Sequence, residues 1–193
     1  DRYSSRARKD DRKAEAFYLN ALMTMLRSDE REEAKVLTIV SNLSTMFRQK
    51  QNTTRIEELY NLVEHVDKVT GKANGVIEDK LLLAELYREK QKLKTSSKYL
   101  EDALALSQSF YGFESVKTAQ ISSLLAHTYM LRNDYKQAKI LAKKPVELLR
   151  SDNLKGQISR SDRLKILSTY KRYLEQVKDS GELERVEQEL NEL

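Results

Sequence analysis

The sequence holds no cysteine and no tryptophan, and only one proline and five glycines in 193 residues. Without cysteine there is no disulfide framework, no thiolate metal site and no cysteine nucleophile. So few backbone breakers leave little room for β-hairpins or glycine-rich loops. No apolar run approaches the roughly 20 residues that a membrane-spanning helix requires. Two histidines, His65 and His127, stand far apart with no HExxH or comparable spacing around either, so neither is expected to hold a metal. The glycines (Gly71, Gly75, Gly112, Gly156 and Gly181) are too dispersed to cradle a phosphate. Ser122-Ser123 lies in a helical stretch and lacks a nucleophile elbow. Carboxylates such as Glu30, Glu32 and Glu33, or Glu57 and Glu58, follow solvated helix faces rather than forming an acid–base pair. The expectation is no catalytic residue, no cofactor and no metal, and so no enzyme. The chain begins at Asp1 rather than Met, which reads as a processed or excised fragment.

What is present is helical. An apolar share of 39% beside a charged share of 34% suits slender helices with one buried stripe and a wide wet face. Ile121, Leu124, Leu125, Thr128 and Tyr129 lay one such stripe; so do Val36, Ile39, Val40, Leu43, Met46 and Phe47, and again Leu82, Leu83, Leu86 and Tyr87. No stretch alternates with period two, so no strand is predicted. Ser28-Asp29, Asn52-Thr53, Asn133-Asp134 before Gln137, and Asp179 before Glu182 read as helix N-caps. All five glycines fall between periodic segments, where left-handed turn residues are useful. About nine helices follow: 12–27, 31–50, 53–70, 76–91, 94–111, 115–132, 135–150, 160–178 and 182–193. Pro145, inside one of them, is expected to bend it.

Self-similarity is the strongest signal. In the first helix of each pair a Leu is followed by a small residue and by an aromatic four places on: Leu43-Ser44…Phe47, Leu83-Ala84…Tyr87 and Leu125-Ala126…Tyr129. The leucines are 40 and 42 residues apart. In the second helix three positions recur at spacings four and three: Ala14, Tyr18, Ala21; Ile56, Tyr60, Val63; Ser96, Leu100, Ala103; Ala138, Ala142, Pro145. Small side chains let helices approach while Leu or Tyr fills the groove above them. A lone pair cannot bury its stripe, so pairs stack. The aromatics at repeat positions are therefore read as core.

These residues resemble the tetratricopeptide repeat (TPR) family, in its kinesin-light-chain-like variety of about 42 residues. The best match runs from Gln120 to Leu149, with Leu125-Ala126, Tyr129, Asn133-Asp134-Tyr135 and Ala138. The resemblance implies an all-α fold, a right-handed superhelical stack of antiparallel helix pairs. It divides the chain into a basic extension at 1–11, repeats over 12–150 (helix 12–27, then pairs 31–70, 76–111 and 115–150), and a divergent capping pair at 160–193. There Leu167-Ser168 is in phase but the aromatic, Tyr170, falls one place early. Helix 12–27 looks like a second helix whose first partner is absent. In the family the first helices line a concave groove that receives a peptide or helix. By repeat position the groove residues here are Ser41, Thr45 and Arg48; Leu81, Glu85 and Arg88; Ser123, His127 and Met130, with Lys165, Thr169 and Arg172 from the looser fourth pair. Ser41 and Thr45 occupy the places where one group of relatives holds a terminal carboxylate with Lys and Asn, so that clamp is not expected.

The expected function is a protein–protein interaction scaffold, cytoplasmic, whose groove takes a neutral-to-acidic peptide with an apolar anchor near Leu81 or Met130. Two alternatives come from the uneven charge. The net charge is +5, with Arg2, Arg6, Arg8, Lys9, Arg12 and Lys13 crowding the start and Glu175, Asp179, Glu182, Glu184, Glu187, Glu189 and Glu192 crowding the end. A basic head and acidic tail, with the unpaired helix, suggest homo-oligomerisation. The basic head alone suggests nucleic acid, which is the less favoured partner, or a membrane surface.

Overall fold

The computed structural model of the chain describes residues 2–28, 32–69, 71, 73–151 and 158–193. Among these are nine α-helices and no strand: α1 (Arg2–Leu26), α2 (Glu33–Gln49), α3 (Thr53–Val69), α4 (Ala73–Glu89), α5 (Leu93–Tyr111), α6 (Val116–Leu131), α7 (Tyr135–Arg150), α8 (Arg160–Val177) and α9 (Ser180–Asn191). They lie within a few residues of the spans that periodicity predicts. The exception is the start, where α1 begins at Arg2 and continues the helix through residues expected to precede it.

The two helices of each repeat are joined by one recurring device. Gln51 (φ 54°), Gln91 (φ 58°) and Asn133 (φ 60°) adopt left-handed backbone. The next N–H then reaches back to the carbonyl of the repeat aromatic: Asn52 to Phe47 at 2.9 Å, Lys92 to Tyr87 at 2.8 Å, Asp134 to Tyr129 at 2.9 Å. This Schellman geometry satisfies carbonyls that the helix end leaves open. Left-handed backbone at a residue bearing a Cβ costs about 1 kcal/mol, which the turn bonds offset. Glycine is used less than expected. Gly71 and Gly112 are left-handed, but Gly75 and Gly181 sit in the first turns of α4 and α9, and Gly156 lies outside the described residues. The predicted caps form: Asn52, Asp134 and Asp179 side chains accept from the N–H groups of Arg55, Gln137 and Glu182 at 3.2, 3.3 and 3.4 Å. Ser115 and Ser159 cap α6 and α8 in the same way. Asp29, of the Ser28-Asp29 cap, is outside the described residues, and α2 starts after Glu32.

The chain forms two compact units, Asp1–Asp79 and Lys80–Leu193, the division falling within α4. In the first unit Leu22, Val36, Val40, Leu43, Phe47, Ile56, Tyr60 and Val63 are buried. The Arg55 guanidinium lies 4.7 Å from the centre of the Phe47 ring. It also meets Glu15 of α1, which accepts a second bond from Lys50 at 2.8 Å.

In the second unit the repeat's departures from small apolar residues are each compensated. Ser96 stands where Ala is usual, and its buried hydroxyl donates to the Ala84 carbonyl at 2.7 Å. Pro145 lies within an unbroken α7 and is buried. Lacking an N–H, it leaves the carbonyl four residues earlier, that of Leu141, without its helical donor. The Ser122 hydroxyl of α6 supplies one at 3.0 Å. At the α5–α6 turn Gly112 (φ 90°) offers its carbonyl to Thr118 at 2.8 Å, and Thr118 meets Ser107 at 2.9 Å. Among the repeat aromatics, Phe47 and Tyr60 are core. Tyr87 and Tyr129 are only half-buried: Tyr87 stacks on Tyr99 and the Tyr129 hydroxyl donates to Glu101 at 2.7 Å.

The fourth pair keeps the turn but lengthens the helix before it. Lys178 (φ 58°) takes the left-handed place and Asp179 N–H bonds to Leu174 O at 3.1 Å. Lys178 comes 45 residues after Asn133, whereas the earlier turns are 40 and 42 apart. Leu174 thus fills the aromatic's position and Tyr170 that of the repeat Leu; both are buried. Arg150 ties α7 to α9 through Glu182 at 2.7 Å and Glu189 at 2.8 Å, and Lys171 of α8 pairs with Glu187 at 2.8 Å. Several acids of the C-terminal end are therefore engaged within the chain.

Candidate functional site

A groove of about 470 Å³ opens between α6 and α8 and reaches Leu81 of α4. It forms because α6 carries exposed side chains on the side that faces α8 without being filled by it. Ser123, Leu124 and His127 recur at helical spacing and project there together. From α8 come Leu164, Lys165, Ser168, Thr169 and Arg172. Of the residues that repeat position assigns to the groove, Leu81, Ser123, His127, Lys165, Thr169 and Arg172 line this one cavity.

The others are placed differently. Met130 is 8% exposed and belongs to the buried cluster of α6, α7 and α8, so it cannot anchor a ligand. Glu85 is exposed beside Arg88, 3.7 Å away. Ser41, Thr45 and Arg48 are exposed on α2 of the first unit, with the Thr45 hydroxyl bonded to Ser41 O at 2.9 Å. Leu124, read from the sequence as part of the core stripe, is instead 38% exposed and forms groove wall, as does Leu164 at 49%. Both are large apolar side chains in polar surroundings. Their signal in the sequence is that they lie one or two places off the repeat's core positions.

Charge in the groove is mostly positive. Lys117, Lys165 and Arg172 line it against the one carboxylate Asp162. Asp162 accepts from the Ser159 hydroxyl at 2.6 Å in the first turn of α8, where the helix dipole also favours it. It lies 3.9 Å from Lys165. Arg172 meets the His127 ring instead of an acid, Nη1 to Nε2 at 3.4 Å. Burial, then the charges of Arg172 and Arg88, hold His127 below its ordinary pKa of 6.5, so it is neutral at pH 7. Ser123 is 5% exposed and its hydroxyl has no hydrogen-bond partner, a cost of about 1–3 kcal/mol. Among the described residues no group of three or more His, Asp or Glu side chains is placed to hold a metal, and no helix is long and apolar enough to cross a membrane.

A smaller cleft of about 240 Å³ lies between α5 and α7, under Phe113 and beside Pro145. Lys144 sits 5.5 Å from the centre of the exposed Phe113 ring. Its rim mixes Lys144 with Glu114 and Glu147 and has no preferred sign.

Comparison with known proteins places this geometry. Residues 77–151 match the family model described as tetratricopeptide repeat. No curated protein sequence matches the chain. Among solved structures, the chain is similar to BtubC (BKLC) from P. vanneervenii, with a TM-score of 0.75 and 20% identity over 97% of this chain and 74% of the other. It is also similar to a Podosopora anserina putative kinesin light chain with nearly identical TPR-like repeats, with a TM-score of 0.64 and 16% identity over 97% of this chain and 93% of the other. At such identities the likeness establishes the fold, an all-α arrangement of helix pairs of the TPR-like solenoid kind. Repeats of this family generally act as protein-interaction scaffolds and are typically without enzymatic activity. The chain is a tetratricopeptide-repeat protein, with the repeats matched in residues 77–151.

Proposed function

We propose that the chain is a scaffold that holds a peptide or helix of a protein partner in the α6–α8 groove. The observation that carries this reading is one cavity combining exposed leucines, an excess of cations and an unpartnered hydroxyl. Exposed leucines suit an apolar anchor, and the cations favour a neutral-to-acidic partner. The anchor sits against Leu81, Leu124 and Leu164. In this reading residues 12–150 form the repeats and 160–193 the capping pair. Ion pairs from Arg150 and Lys171 secure that pair.

Selection of peptides from a random display library on the full chain tests the reading. Recovered peptides should combine an apolar residue with acidic ones. They should bind at least tenfold more weakly to Leu124→Arg and to the Arg88→Glu/Arg172→Glu double variant. Peptides that bind both variants as well as the parent chain would place the partner elsewhere.

One observation favours a second reading, self-association through α1. Phe17 is 69% exposed there, and the repeat positions Ala14, Tyr18 and Ala21 are only half-buried. The acidic end contributes less than its composition suggests, because Glu182, Glu187 and Glu189 already have partners within the chain. Light scattering across concentration, with Phe17→Asp as the control, separates the readings: a monomer at all concentrations removes the second.

A further inference from the structure

We infer that Arg172 and His127 form a carboxylate-binding subsite in the α6–α8 groove, and that His127 takes up a proton when a carboxylate arrives. The inference deepens the groove-binding reading and rests on it for its biological partner. The pairing of the two side chains carries it. Arg172 has no carboxylate within ion-pair distance among the described residues, and its one polar contact is the 3.4 Å approach to His127 Nε2. A guanidinium can donate to that nitrogen only while the ring is neutral and Nδ1 bears the proton. Protonation of the free protein would set an imidazolium against Arg172, with Arg88 of α4 as a second nearby cation.

A carboxylate reverses this arrangement. Placed between Nη1 of Arg172 and Nε2 of His127, it accepts from both, and the two cations cease to oppose each other. The other charged groups around the ring do not remove the need for an incoming anion. From α8, Lys165 adds positive charge and Asp162 stays near Ser159 and Lys165. Lys117 of α6 is a cation, and Glu85 of α4 is within reach of Arg88. The leucine wall next to the subsite fixes the spacing: Leu124 lies one turn before His127 on α6, so a partner would present its apolar anchor and its acid about one helical turn apart.

Because the chain has two histidines only, ring NMR follows each one separately, and exposed His65 is an internal control. The probes are N-acetyl-aspartate amide and its uncharged analogue N-acetyl-asparagine amide, added to the full chain. The expected result is a His127 titration midpoint that rises by about one pH unit with the aspartate probe and stays fixed with the asparagine probe. His65 should not respond. In Arg172→Gln the free His127 should titrate higher than in the parent and lose the response to aspartate. Equal effects of the two probes, or an unchanged response in Arg172→Gln, would overturn the subsite. Failure of the groove reading has a different signature. If library-selected peptides bind without perturbing Leu124 while the aspartate response persists, the reading fails and the subsite stands. If they bind at Leu124 with no acidic preference and no aspartate response, the reverse holds.

Discussion

Helices α1 and α7 carry the same three-position pattern, yet only α7 buries it. Ala138, Ala142 and Pro145 are inaccessible in the second unit, whereas Ala14, Tyr18 and Ala21 are half-buried in the first. The cause is the number of neighbours. α7 packs against both α6 and α8, while α1 packs against α2. A small-residue pattern permits close approach but does not create it, and burial appears only where a helix arrives on each side. The two helices are also tied by opposite charge logic. Arg150 of α7 grips two carboxylates, and Glu15 of α1 is gripped by two cations.

The largest expected effect comes from overfilling the pattern. Ala142→Leu should destabilise the chain by about 1–3 kcal/mol, and Ala21→Leu should change it by less than about 0.5 kcal/mol. Urea unfolding followed by helical circular dichroism reads both, and equal costs would break the contrast. Next is the proline device. Ser122→Ala should cost about 1–2 kcal/mol because the Leu141 carbonyl loses its substitute donor. In a Pro145→Ala background the backbone N–H returns and the cost should fall to near zero. A double-mutant cycle showing no coupling would mean that the Ser122 bond does not compensate the proline.

Smaller effects test the charged ties. Arg150→Gln should cost about 1–2 kcal/mol and release α9 first, seen as faster amide exchange in residues 180–191. Glu15→Gln should cost about 0.5–1 kcal/mol at pH 7. The bond to Lys50, opposed by burial and aided by Arg55, holds the Glu15 carboxyl below its ordinary 4.5 in the folded chain. Its stabilisation is thus complete above the unfolded-state value and disappears as pH falls through the folded one. The difference between parent and variant should be present at pH 7 and absent near pH 3. A difference that persists at pH 3 would assign the effect to packing.

Much of this architecture is legible in the residues because the devices that build it are local. Left-handed Gln51, Gln91 and Asn133 and the caps at Asn52, Asp134 and Asp179 act within a few residues of themselves. Helix ends and the repeat can therefore be read directly. The candidate groove was half legible. Repeat position named Leu81, Ser123 and His127, and the looser fourth pair supplied Lys165, Thr169 and Arg172. It also named Met130, which is core, and it took Leu124 for core when it is groove wall.

The sequence by itself determined the helix-pair fold and its period, since turn chemistry and apolar spacing depend on nearest neighbours along the chain. The tertiary structure alone decided which edge of α6 is covered, where α8 sits after its three extra residues, and that Arg172 faces a histidine rather than an acid. Those outcomes depend on how side chains from helices more than 40 residues apart share one space. No periodicity within a single helix encodes that arrangement.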